Sequence, residues 1–147
     1  MSTFEPTETP TVLVVEDEVL IREDAIDVLE REGLMALRAG TVSEALTLLE
    51  RRTDIRAVFT DIQMPGDADG VDLARLVAEQ WPDVVVLVTS GRSYGAPDDL
   101  PGASRFIPKP YMPRTVARIL WEMIDAGPGW DPGFGSLAGS SNAPSPR

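Results

Sequence analysis

Val12-Leu13-Val14-Val15-Glu16-Asp17-Glu18 decides the fold. Four consecutive apolar residues, three of them β-branched, leave the segment no polar face, so it reads as a strand buried on both sides. It then stops abruptly on three acids. Downstream, Ile21, Ala25, Val28 and Leu29 recur at helical spacing until Gly33 offers a C-terminal stop. The same unit repeats along the chain. A short strand over 34–38 precedes a helix that Thr41 or Ser43 can cap, carrying Ala45, Leu48 and Leu49. A third strand over 55–59 runs into Asp61, and a third helix aligns Leu73, Leu76 and Val77 before Trp81-Pro82 breaks it. The most apolar strand, 84–88, ends in Thr89-Ser90-Gly91. The fifth, 104–107, is followed by a helix aligning Val116, Ile119, Leu120, Met123 and Ile124. Between these last two strands Gly91, Gly95, Pro97, Pro101 and Gly102 leave room for little more than a turn at Asp98 to Leu100, so the fourth of five possible helices is expected to be short or replaced by loop.

Strict alternation of apolar strands with amphipathic helices predicts an α/β, doubly wound, five-stranded parallel sheet with helices on both faces, three layers deep, joined by right-handed crossovers. Such sheets bind ligands beyond the carboxyl ends of their strands. Glu16, Asp17, Asp61, Thr89 and Lys109 all fall at those ends and are expected to share one crevice.

The chain has 147 residues, enough for one domain and no separate effector, which reads as a stand-alone unit. Residues 1–10 read as a disordered leader, 11–126 as the folded domain and 127–147 as a disordered Gly/Pro/Ser-rich tail, in which Trp130 and Phe134 are either incidental or partner contacts. A net charge of −11, with arginines scattered among acids, argues against a nucleic-acid surface. With no signal-like or membrane-length apolar run, the expectation is a soluble cytoplasmic protein. Absence of cysteine and histidine removes thiolate and imidazole metal sites and Ser-His triads, and any phosphohistidine donor must come from outside.

Against twelve arginines there is one lysine, in Phe106-Ile107-Pro108-Lys109-Pro110. An ammonium is a compact charge suited to one oxygen of a small anion, where a guanidinium is a broad fork. Three carboxylates brought within about 5 Å repel by roughly 3 kcal/mol per pair at an effective dielectric near 20, so the cluster calls for a proton or a cation. All-oxygen ligands in an open site favour Mg²⁺. A carboxylate can attack phosphorus when a metal neutralises the incoming charge, and Asp61 is the candidate nucleophile, with Lys109 and the Thr89 hydroxyl to receive phosphoryl oxygens. Plainer roles exist singly: Asp17 or Glu18 could cap a helix, Thr89 could be a strand residue, Asp61 could open a turn. Their gathering at one sheet edge favours the chemical reading.

Val14-Val15-Glu16-Asp17-Glu18, Thr60-Asp61-Ile62-Gln63-Met64-Pro65-Gly66, Val88-Thr89-Ser90 and Phe106-Ile107-Pro108-Lys109-Pro110 together resemble the receiver domains of two-component response regulators, over roughly 11–125. The resemblance implies a flavodoxin-like sheet of order 2-1-3-4-5. It also implies that a sensor histidine kinase or phosphotransfer protein phosphorylates Asp61, with Mg²⁺ held by Glu16, Asp17, Asp61 and the backbone carbonyl of Gln63. Lys109 would hold the phosphoryl and precede a cis peptide to Pro110. Thr89 and Phe106 would form the switch, a population shift that alters protein contacts, although core packing is the plainer role for Phe106. Catalysis would be limited to the chain's own phosphorylation and dephosphorylation. The downstream target is unknown, and a homodimer is possible.

Two features depart from the family. Pro65 and Gly70 enclose four residues where three are usual, which brings in Asp67 and Asp69 as metal-recruiting or solvated loop acids. The weak fourth helix also unsettles the face through which receivers often dimerise; for an output made by contact, Tyr111, Arg118 and Trp121 are candidates, with a mostly buried Trp121 the equal alternative. The alternatives are a pseudo-receiver acting as a phosphorylation-independent interaction module, and a haloacid-dehalogenase-type phosphatase, whose second acid is replaced here by Gln63.

Overall fold

The computed structural model describes residues 9–91, 97 and 100–127. Its elements run β1 (Thr11–Val15), α1 (Val19–Arg31), β2 (Met35–Ala39), α2 (Val42–Arg51), β3 (Ile55–Asp61), α3 (Gly70–Gln80), β4 (Val85–Ser90), β5 (Ser104–Pro108) and α4 (Pro113–Ala126). All neighbouring strands pair parallel, in the order β2-β1-β3-β4-β5, the flavodoxin-like arrangement. No helix lies between β4 and β5 among the described residues. The expected turn at Asp98 to Leu100 falls outside them, except Leu100, which packs against the core. The expected leader and tail also lie almost wholly outside. Pro10 is described: it is buried, and its carbonyl accepts the Met35 N–H at 2.9 Å.

Period-two alternation divides each central strand between two cores. Val12, Val14, Ala57, Phe59, Val85 and Leu87 join α1 and α4 on one face, while Leu13, Val15, Val58, Val86 and Val88 join α2 and α3 on the other. The five apolar residues expected on the last helix are all buried, each worth about 1.5–3 kcal/mol relative to exposure.

Helix α1 corrects the sequence reading. Ala25, Ile26 and Leu29 face the core, Val28 is half-buried, and Ile21 is 37% exposed beside Val19 and Leu20 at 56% and 84%. Gly33 does terminate it. At φ 92° it lets its own N–H reach Glu30 O and that of Leu34 reach Leu29 O, which closes the last turn. Trp121, half-buried on α4, donates its indole N–H to the leftover carbonyl of Glu32 at 2.9 Å. Of the two proposed caps of α2 it is Thr41 that serves, its hydroxyl accepting from Glu44 N at 3.0 Å.

Candidate functional site

The carboxyl ends of β1, β3, β4 and β5 meet as the topology requires. Asp61 closes β3 and is 6% exposed. Lys109 leaves β5 with its N–H on Ser90 O at 2.9 Å, and its Nζ lies 2.6 Å from Asp61 Oδ2 and 3.9 Å from Glu16 Oε1. The peptide joining Lys109 to Pro110 is cis, as the resemblance implied. The other carboxylate oxygen of Asp61 accepts from Gln63 N at 3.1 Å. Burial works against the Lys109 ammonium, but the hydrogen bond and charge of Asp61, with Glu16 behind it, outweigh this and raise its pKa above the ordinary lysine value.

Glu16 is buried, whereas Asp17 is exposed at the rim of the same turn. Neither Asp17 nor Glu18 caps α1 through its side chain. Instead, Glu16 Oε2 accepts from Glu18 N at 3.0 Å. Burial, with the nearby charge of Asp61, lifts the Glu16 carboxyl from 4.5 to about 7 despite that hydrogen bond. Thr89 is 2% exposed, and its hydroxyl has no hydrogen-bond partner among the described residues. It lines a cavity of about 10 Å³, room for one water at most, together with Glu16, Asp61, Arg22, Phe59 and Tyr111. Phe106 is half-buried against the α2/α3 core, in register with Val88.

Among the described residues no three acids form a ready cation cage. The donor set nevertheless fits a hard cation: a buried carboxyl unfavourable as an isolated charge, a second beside it, and an exposed aspartate on the adjoining turn.

Sequence reasoning missed Arg22 and gave Tyr111 and Asp69 other roles. Tyr111, taken as a surface contact, packs edge-on against Phe59 with centroids 5.5 Å apart, and burial followed by the charges of Glu16 and Asp61 pushes its hydroxyl up to about 12. Arg22 lines the small cavity from α1. Asp69, rather than sitting idle in solvent, caps α3, accepting from Val71 N at 3.0 Å and Asp72 N at 2.9 Å while Asp72 Oδ2 accepts from Asp69 N. The sequence does hold that signal, an acid three residues before another at a helix start. Asp69→Ala is expected to lower stability by about 1 kcal/mol in urea denaturation and to leave Mg²⁺ affinity unchanged.

A parallel sheet of this order, with two acids and a lysine converging beyond its carboxyl edge, defines a class of flavodoxin-like domains, and comparison with known proteins makes it specific. Residues 12–120 match the response regulator receiver domain family, and the chain belongs to that family. The hydrogenase transcriptional regulatory protein HoxA of Bradyrhizobium diazoefficiens is 33% identical over 120 residues, 78% of this chain and 24% of HoxA. The aerobic respiration control protein ArcA of Escherichia coli K12 is 34% identical over 112 residues, 74% of this chain and 46% of ArcA. The chain therefore spans less than half the length of these curated relatives. A CheY-like receiver domain protein from Methanospirillum hungatei superposes with a TM-score of 0.71 at 23% identity, covering 80% of this chain and 95% of that one, a likeness of fold. Receiver domains act in two-component signalling, with histidine kinases or phosphotransfer proteins as partners. Among the described residues no helix is long and apolar enough to cross a membrane.

Proposed function

We propose that this receiver accepts a phosphoryl group on Asp61 from a histidine kinase or phosphotransfer protein and changes its protein contacts in response. The observation that carries the reading is the chain's single lysine, brought 2.6 Å from the carboxylate at the end of β3 across 48 residues of sequence. In the transfer, an Asp61 carboxylate oxygen forms a bond to phosphorus as the donor's phosphorus–nitrogen bond breaks, and the departing imidazole nitrogen keeps the electron pair and takes a proton. Lys109 is placed to follow its oxygen partner from carboxylate to phosphoryl. The Thr89 hydroxyl, unpartnered before transfer, gains an acceptor afterwards, which biases the switch toward the state in which Thr89 approaches and Phe106 repacks. Glu16, Asp17, Asp61 and the Gln63 carbonyl would hold Mg²⁺, which supplies charge neutralisation of the transferring group.

The test is intact-mass measurement of the full chain with Mg²⁺ and acetyl phosphate or a phosphorylated histidine donor. One added phosphoryl group, absent without Mg²⁺, is the expected result, and an unmodified chain with every donor refutes the assignment.

Titration of Glu16 gives a second expectation. Its folded pKa is raised, so between 4.5 and about 7 the folded state holds a proton that the unfolded state has lost, and metal-free stability falls as pH rises through that window. Mg²⁺ needs the carboxylate, so its affinity should climb from pH 6 to 8 with proton release, measurable by calorimetry in buffers of different ionisation enthalpy. A pH-independent affinity contradicts Glu16 as a ligand.

A further inference from the structure

The turn carrying Glu16 is tied to edge strand β2 twice. Directly, Glu16 N donates to Ala39 O at 3.0 Å. The second tie is indirect: Arg22 Nη1 donates to Glu16 O at 3.3 Å, Arg22 Nε to Glu23 Oε2 at 3.2 Å, and Arg38, the residue before Ala39, grips Glu23 with Nε and Nη2 at 2.8 Å each. These contacts close a ring from Glu16 through α1 to β2 and back. The Arg22–Glu16 contact is long, and an arginine free to rotate would not keep it. Arg22 keeps it because its side chain is 17% exposed, lines the small cavity, and is fixed at Nε by a glutamate that is itself held by a two-pronged fork.

We infer that Arg22, braced by Glu23 and Arg38, is a positioning residue that orients the Glu16 turn for its cation. The inference rests on the metal-binding part of the proposed function. It assigns a role to Arg38, which is half-exposed on an edge strand and separated from Glu16 by two intervening side chains. Residues that hold a ligand in place commonly alter metal affinity by about 10-fold or more when removed.

The sign of the effect separates positioning from simple electrostatics. Arg22→Gln and Arg38→Gln each remove a positive charge near a cation site, so charge alone would tighten Mg²⁺ binding. Positioning requires the opposite. The experiment is an MgCl₂ titration of the full chain followed by backbone NMR shifts of Asp17, Glu18 and Gln63. Arg22→Gln should weaken binding about 10-fold, Arg22→Lys should restore it incompletely because an ammonium cannot bridge carbonyl and carboxylate as a fork, and Arg38→Gln should weaken it in the same direction by a smaller factor. A metal-free readout accompanies it: amide exchange at Glu18, whose N–H rests on Glu16 Oε2, should accelerate in Arg22→Gln. Affinity unchanged or improved in both glutamine variants overturns the inference, as does unaltered Glu18 exchange. A wild type that shows no response to Mg²⁺ instead overturns the metal-binding reading, and the exchange comparison then decides the tether alone.

Discussion

Asp61→Asn is expected to remain folded and to take up no phosphoryl group under any donor that labels the wild type. Asparagine has nearly the same shape, so the end of β3 keeps its packing, and its amide oxygen can still accept from Gln63 N in place of the present 3.1 Å bond. It carries no charge and is a poor nucleophile, so no acyl phosphate forms. Facing the ammonium with an NH₂ group would set donor against donor, and the amine of Lys109 is expected to turn toward Glu16, now 3.9 Å away. Glu16 loses a neighbouring negative charge and gains a closer positive one, so its pKa should fall below the present value of about 7. Intact-mass analysis reads the first effect and NMR titration of the Glu16 side chain the second. Labelling of the variant at wild-type level would move the acceptor elsewhere.

Gly70→Ala is expected to carry the largest stability loss of any single methyl addition at the site. Gly70 opens α3, its N–H bonded to Ile62 O at 2.8 Å, and it presses on the backbone of Asp61 and Ile62. An added Cβ would overlap the Asp61 carbonyl oxygen and come within 2.8 Å of Ile62 Cα, atoms that cannot swing away as a side-chain tip would. Overpacking of this kind costs about 1–3 kcal/mol or more, and the relief available, backing α3 away from β3, displaces Asp61 as well. Both a lower urea midpoint with unchanged slope and slower phosphorylation should follow. Gly66 makes the control. Its φ of 95° disfavours alanine by roughly 1–2 kcal/mol, yet among the described residues no atom beyond its chain neighbours lies within 4 Å of where the methyl would go, so phosphorylation should survive the exchange. Equal urea midpoints for wild type and Gly70→Ala would refute the close-contact argument.

The contrast between these glycines shows what the sequence could convey. Continuous apolar runs ending in Glu16, Asp61 and Thr89 made the sheet and the edge that carries the candidate site legible, because burial on both faces leaves a strand no alternative composition. The rarity of lysine singled out Lys109. Which acid of the Glu16-Asp17 pair turns inward was not legible, since that depends on the path of the turn. On α1 the spacing was right for Ala25 and Leu29 and failed at Ile21, which satisfies the period while lying on an exposed first turn, where Val19 and Leu20 accompany it. Gly70 could be read as the end of a loop, but its proximity to Asp61 is a tertiary fact. Likewise, nothing local in Trp121 announces a bond to Glu32, which is 89 residues away in the chain.

That indole bond has a practical consequence. Helices in this topology start beside Asp61 and finish at the opposite pole, and both described tryptophans belong to that far end: Trp81 as the C-terminal cap of α3, Trp121 clasping the carbonyl of Glu32, which caps the end of α1. Emission from these two indoles is deaf to events that stay local to the carboxylates. Any change in their glow on phosphorylation would be news carried through the body of the domain, while Tyr111, stationed at the near pole, hears the event first.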